Sequence, residues 1–476
     1  MNKLLIKSRN IISTFALAAS GLAMGITDAS AGAVIPGLFN SSAGASAFNL
    51  DVSAGSIPTP DGDTVLVWGY SVENQPMQYP GPTLIVNQGD VVTITLRNKL
   101  PDVPASAPPA PMPVSMIFPG QEGVGATGGS LGLLTQESTT DLDVVTYTFT
   151  AGKPGTYTYH SGTRPGLQVE MGLVGALIVR SATAGQAYND NITHPASVSS
   201  GRHSGYDHEY LFLLTEMDPS IHRLVEFGLI ALVDNTVSNP VLWFINGRNG
   251  PDTFFPDNVT WLPHQPYGSI ARMRPGERVL LRVIGGGRAM HPFHIHGNNY
   301  DLIARDGNLM STGTSPAKPV AIADLAYSDY TLPVLPGSTY DMIWQWTGVG
   351  MGWDIYGHGD DLAYQTKDQC LNGDPAAIPP LPPATIELNE DLASHCLKFP
   401  VTLPENQDLT FAGYYSGSPF LGAAADLPPG EGGLNINGGM FYMWHSHNEK
   451  ELSNNDIFPG GMMTMMIVEP PSATIP

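Results

Sequence analysis

Along most of this chain, apolar and polar residues alternate with a period of two, or apolar runs stand between Gly, Pro, Asn and Asp. A strand turns successive side chains to opposite faces, so this pattern predicts strands and not helices. The predicted strands are 64–72, 83–87, 90–97, 144–150, 156–160, 174–180, 209–215, 278–284, 293–304, 339–346, 409–415, 440–447 and 463–469. Between them lie a proline-rich loop, Pro101–Pro113, a polar stretch at 183–206 and a long irregular insertion at about 357–435. With 53 Gly and 42 Pro supplying turns, the chain reads as all-β.

Two stretches share one layout. Pro82 to Arg97 and Arg274 to Ile284 each make a Gly turn and then an apolar strand. The repetition predicts two homologous sandwiches, 33–185 and 205–476, joined by a linker at 186–204. Residues 1–31 carry Lys3, Lys7 and Arg9, then an apolar run, then Ala29-Ser30-Ala31, which is the layout of a cleaved export signal. Serines and glycines break that run too early for a membrane span, and no later segment is apolar enough for one. The expected location is therefore periplasmic or extracellular. The net charge of −22 becomes about −24 without the leader, which argues against nucleic acid or anionic lipid as a partner.

The candidate chemistry lies in four segments: PVSMIFPGQ (113–121), GTYTYHSG (155–162), HPFHIHG (291–297) and FYMWHSHNEKELSNNDIFPGGMM (441–463). Strand parity puts His294 and His296 on one face and His291 on the other. It likewise pairs His445 with His447 and turns Ser446 away. Four imidazoles on two neighbouring strands make a pocket suited to copper or zinc, and His160 on a third strand adds a fifth.

In their order along the chain, these motifs resemble the multicopper oxidases, and the two-sandwich count is similar to the two-domain, laccase-like members. The resemblance implies tandem cupredoxin-like Greek-key β-sandwiches. It also implies type 2 copper ligation at His294, type 3 ligation at His160, His296, His445 and His447, and a type 1 ligand at His291. Against that pattern, Ile117 and Pro119 (or Met116 and Phe118) stand where the first motif carries histidines, and Gly162 where the second carries one. Ser446 takes the place of the bridging cysteine, Glu451 that of the late type 1 histidine, and Met462 or Met463 the axial position. A blue copper site needs a thiolate, so the expected cofactor is one or two copper ions in place of four.

The expected function is an exported copper-binding protein, acting as an oxidoreductase on a small molecule or metal ion or with an electron-transfer partner protein. The alternative is a non-catalytic metal-binding or structural sandwich. Two-domain relatives share their cluster between chains, which implies a homotrimer. Cys370 and Cys396 are expected to form a disulfide, as is usual in exported chains. The methionines near the C-terminus are expected to fill the core, and Asp354, His358, Asp360 and Asp361 to form a polar loop.

Overall fold

A computed structural model describes residues 34–103, 110–190, 202–274, 276–315, 321–346, 440–469 and 474–475. The leader, the expected strand at 409–415, the insertion, both cysteines and the Asp354–Asp361 loop lie outside the described residues.

The first sandwich contains β1 (Ala45–Pro58), β2 (Thr64–Val72), β3 (Leu84–Asn87), β4 (Val91–Asn98), β5 (Val145–Thr150), β6 (Gly155–His160) and β7 (Val174–Arg180). Period-two sequence sets its layers. Val92, Ile94 and Leu96 of β4 are buried completely, while Thr93, Thr95 and Arg97 turn outward. In one sheet β4 lies parallel to β1 and antiparallel to β5; in the facing sheet β7 lies parallel to β3 and antiparallel to β6.

The second sandwich repeats this scheme. Its first sheet runs through β8 (His208–Met217), β9 (Leu242–Ile245), β11 (Arg278–Gly285), β13 (Tyr300–Arg305) and β15 (Thr339–Gln345). Here β11 is parallel to β8 and antiparallel to β15. Its second sheet has the order β10 (Ala271–Met273), β17 (Met463–Val468), β16 (Met440–Ser446), β12 (His291–Ile295), β14 (Thr331–Val334). Again the first pair is parallel and the second antiparallel. By this correspondence β6 and β16 are equivalent strands: β6 ends on His160, and β16 runs through His445.

Most expected strands match within two residues, with one correction. The run at 293–304 is two strands, β12 and β13, because Gly297 adopts φ +91° and turns the chain between them. A Cβ at Gly297 would meet the Tyr442 ring at 2.2 Å, so the turn needs glycine twice over. The fourteen-residue β1 was not anticipated. Its small residues, Ala45, Ser46, Ala47, Ser53, Ala54 and Gly55, hide the alternation of Phe48, Leu50 and Val52.

An apolar cluster joins the sandwiches. It draws Ile57, Val67, Ile85 and Ile178 from the first and Leu211, Leu213, Phe244 and Ile284 from the second. Tyr79 packs edge-on to Phe244 at 5.5 Å and donates to Thr215 Oγ1 at 2.6 Å. Beside this cluster, buried Asp341 accepts hydrogen bonds from Thr156 and Tyr188, each at 2.5 Å. Arg282, 1% exposed, donates to Thr156 Oγ1 and Glu209 at 3.0 Å, and Arg180 also pairs with Glu209.

Candidate metal centre

Register places the imidazoles. Thr331 of β14 pairs with His294 of β12, His294 with His445 of β16, and His445 with Met463 of β17. This row lies on the outer face of the sheet. The next row, Leu332, Phe293, Ser446 and Met462, faces the core with exposures of 0–1%. The four expected histidines thus converge, and Ser446 points inward.

Within the cluster, His296 Nε2 lies 2.9 Å from His445 Nε2. One ligand atom each from His294, His296 and His445 falls within 4.8 Å of the others. The His447 ring is 4.8 Å from that of His294 and 5.5 Å from that of His445, and its side chain is exposed. His160 is not in this group. Its Nδ1–H donates to the Ser161 carbonyl at 3.0 Å, at the end of β6 in the other sandwich.

Hydrogen bonds orient two of the rings. His445 Nδ1 is 2.7 Å from the Ser446 carbonyl, which can only accept, so the proton sits on Nδ1 and the lone pair on Nε2. His294 Nδ1 lies 2.7 Å from Thr331 Oγ1, a contact that orients the ring with either atom as donor. Burial, reinforced by the neighbouring imidazoles, pulls His445 down to about 3 and His294 to about 4. Burial also lowers His160. His160, His294 and His445 are therefore neutral at physiological pH, as metal ligation requires.

This donor set fits a metal ion. Two ring nitrogens 2.9 Å apart, with a third imidazole nitrogen within 4.8 Å, reach the spacing of neighbouring ligands with bonds of about 2 Å after opening by a few tenths of an ångström. Imidazole ligation suits copper and zinc among the common ions.

The opposite face of β12 differs. His291 is fully buried, with Nδ1 2.8 Å from Glu451 Oε2 and Nε2 3.1 Å from Glu216 Oε2. Burial disfavours its charge, but the hydrogen bonds and charges of the two carboxylates outweigh that and raise it to about 9. The result is an imidazolium held between two carboxylates. Glu216 also accepts the backbone N–H groups of Arg288 and Ala289. Arg288 in turn reaches Glu170 of the first sandwich at 3.3 Å. The set does not fit a blue copper: both ring nitrogens are committed to carboxylates, and Ser446 offers its hydroxyl to the Asn448 N–H at 3.2 Å.

Sequence reasoning missed Thr331 and Glu216. A carboxylate inside the apolar run Leu211–Met217 was the available signal for Glu216; Thr331 carried none. A cavity of about 890 Å³ is lined by Glu209, Phe212, Asn246, Tyr267 and Arg272 among others, and by none of the imidazoles.

Fold and site together define a tandem β-sandwich protein with a strand-borne imidazole cluster. Residues 67–184 and 235–342 each match a family model described as multicopper oxidase. The two matched stretches, one in each sandwich, together span just under half of the chain, which is thus similar to the multicopper oxidase family in both halves. It is 24% identical over 331 residues to copper resistance protein A of Escherichia coli, covering 66% of this chain and 49% of that protein. The chain thus spans about half the length of this curated relative. Among solved structures, it is similar to the blue copper oxidase from Nitrosomonas europaea, with 17% identity and a TM-score of 0.49. That match covers 88% of this chain and 85% of the other. A multicopper oxidase designated mgLAC covers the same shares at 15% identity and a TM-score of 0.49.

Proposed function

We propose that this protein is an exported, two-domain copper protein that binds one or two copper ions through His294, His296, His445 and His447. His160 completes the set, and no blue copper is present. The observation that carries the reading is the 2.9 Å approach of His296 Nε2 to His445 Nε2, with the far nitrogen of His445 fixed on the Ser446 carbonyl. Bound copper would supply a redox-active Lewis acid with an open coordination position. The chain's own part is positional. Thr331 and the Ser446 carbonyl hold His294 and His445, burial keeps those two rings unprotonated, and the exposed His447 edge admits a small oxidant or reductant.

His291 in this reading is a structural cation, and Ser446 and Glu451 have replaced the electron-entry ligands. Reducing equivalents reach the imidazole cluster directly from a small molecule, a metal ion or a partner protein. His160 comes from the neighbouring chain of a homotrimer, with residues 33–185 of one chain meeting 205–476 of the next. Among the described residues no helix is long and apolar enough to cross a membrane.

The test is copper loading of purified protein, followed by metal analysis and visible and electron-paramagnetic-resonance spectra. The expected result is one or two coppers per chain with imidazole-nitrogen couplings and no intense thiolate band. Copper content that is unchanged in His296→Ala/His445→Ala would overturn the reading. Copper retained without turnover of phenols or small reductants would favour the non-catalytic alternative. Solution mass checks the trimer, which a monomer at all concentrations would exclude.

A further inference from the structure

The methionines at the C-terminal end divide between two faces. In Met462-Met463-Thr464-Met465-Met466, parity sends Met462 and Met466 into the core, where both are 0% exposed. Met463 and Met465 emerge on the outer face of the sheet. Met443 of β16 lies directly across from Met465, and His445 directly across from Met463. Residues so paired have Cβ atoms about 5 Å apart. The three thioether side chains therefore form a stripe that borders the imidazole stripe of β12 and β16.

These side chains touch one another in a small cluster with Ile467, capped by the partly buried Phe254, Ile270 and Leu452. All three are buried, with exposures of 7% for Met443, 9% for Met463 and 5% for Met465. Leucine packs such a patch equally well, since Leu and Met exchange at small cost. Three methionines placed together beside four histidines add what leucine cannot: soft, polarizable sulfur donors of neutral charge.

We propose that Met443, Met463 and Met465 form a second metal site, selective for a soft monovalent d¹⁰ cation such as Cu(I) or Ag(I). It lies against the imidazole cluster on the same face of the sheet. A thioether set binds Cu(I) and discriminates against Zn(II) and Cu(II), which prefer the imidazoles. The protein thus carries adjoining soft and borderline sites joined through the Met463–His445 pair. The role of the soft site in holding reduced metal beside the imidazoles rests on the function proposed above; the binding itself does not.

Methyl NMR of the full chain, with ¹³C-labelled methionine methyl groups, tests the site with Ag(I) as probe. One equivalent of Ag(I) is expected to shift the Met443, Met463 and Met465 methyl signals and leave those of Met462, Met466 and Met273 in place. Met443→Leu/Met465→Leu should weaken Ag(I) at least tenfold in competition with a chromogenic chelator. Cu(II) loading of that variant should stay at the wild-type level, which also shows that it folds. Unmoved methyl signals, or an unchanged Ag(I) affinity in the leucine variant, would overturn the site. His296→Ala/His445→Ala separates the two readings: it should lose Cu(II) and keep the Ag(I)-induced methyl shifts, and loss of those shifts would count against an independent thioether site.

Discussion

Replacing His291 by glutamine removes the one cation between Glu216 and Glu451 while keeping a donor of similar size. The two carboxylates raise His291 from 6.5 to about 9, so the folded state holds its proton more tightly than the unfolded chain does. That preference is worth about 3 kcal/mol, a large part of the roughly 5–15 kcal/mol that stabilises a typical protein. For a raised histidine, the contribution is complete below pH 6.5 and disappears as pH climbs through about 9. In urea denaturation of the metal-free protein, His291→Gln should therefore be about 3 kcal/mol less stable than wild type at pH 6. At pH 10 the two should nearly coincide. Tyrosines and lysines that titrate near pH 10 do so in both proteins and cancel in the difference. An equal stability gap at pH 6 and pH 10 would refute the imidazolium between carboxylates and leave only lost packing as the cause.

Other predictions follow from the same geometry. Thr331→Val removes the hydroxyl that orients His294, so copper affinity should fall by roughly tenfold or more in equilibrium titration, with Thr331→Ser close to wild type. His294 and His445, held near 4 and 3, should show flat imidazole NMR signals from pH 8 down to pH 5, assigned by their absence in the His294→Gln and His445→Gln proteins. Their burial in neutral form means that stability falls as pH drops from 6.5 towards those values. Ser446→Cys alone should give no intense visible copper band, because His291 stays paired to Glu216 and Glu451; Ser446→Cys/Glu451→His should give one. Trp444→Ala empties the space between Phe293, at 5.1 Å, and Phe212, at 5.7 Å, and should lower stability by about 3–5 kcal/mol in thermal or urea unfolding.

How far the sequence revealed these features depended on distance along the chain. His294, His296, His445 and His447 were legible because strand parity is local and each pair lies within three residues. The register that sets His294 against His445 was not, since it joins segments 151 positions apart. Thr331 and Glu216 were invisible as partners for the same reason: nothing near them names the ring they touch. Ser446 was the reverse case, where one missing sulfur carried most of the chemical information. The break at Gly297 was also readable in principle, as a glycine followed by two asparagines.

Asp341 bears on how this protein can be taken apart. Its acceptors are filled by a threonine of β6, a tyrosine beyond β7 and an arginine of β11, so cutting the chain between the sandwiches leaves Asp341 with the arginine alone of these three partners. Neither half is a natural module for expression by itself. Heat should melt the pair in one cooperative step, and a second half produced alone should need its missing neighbour, supplied in trans, to become soluble.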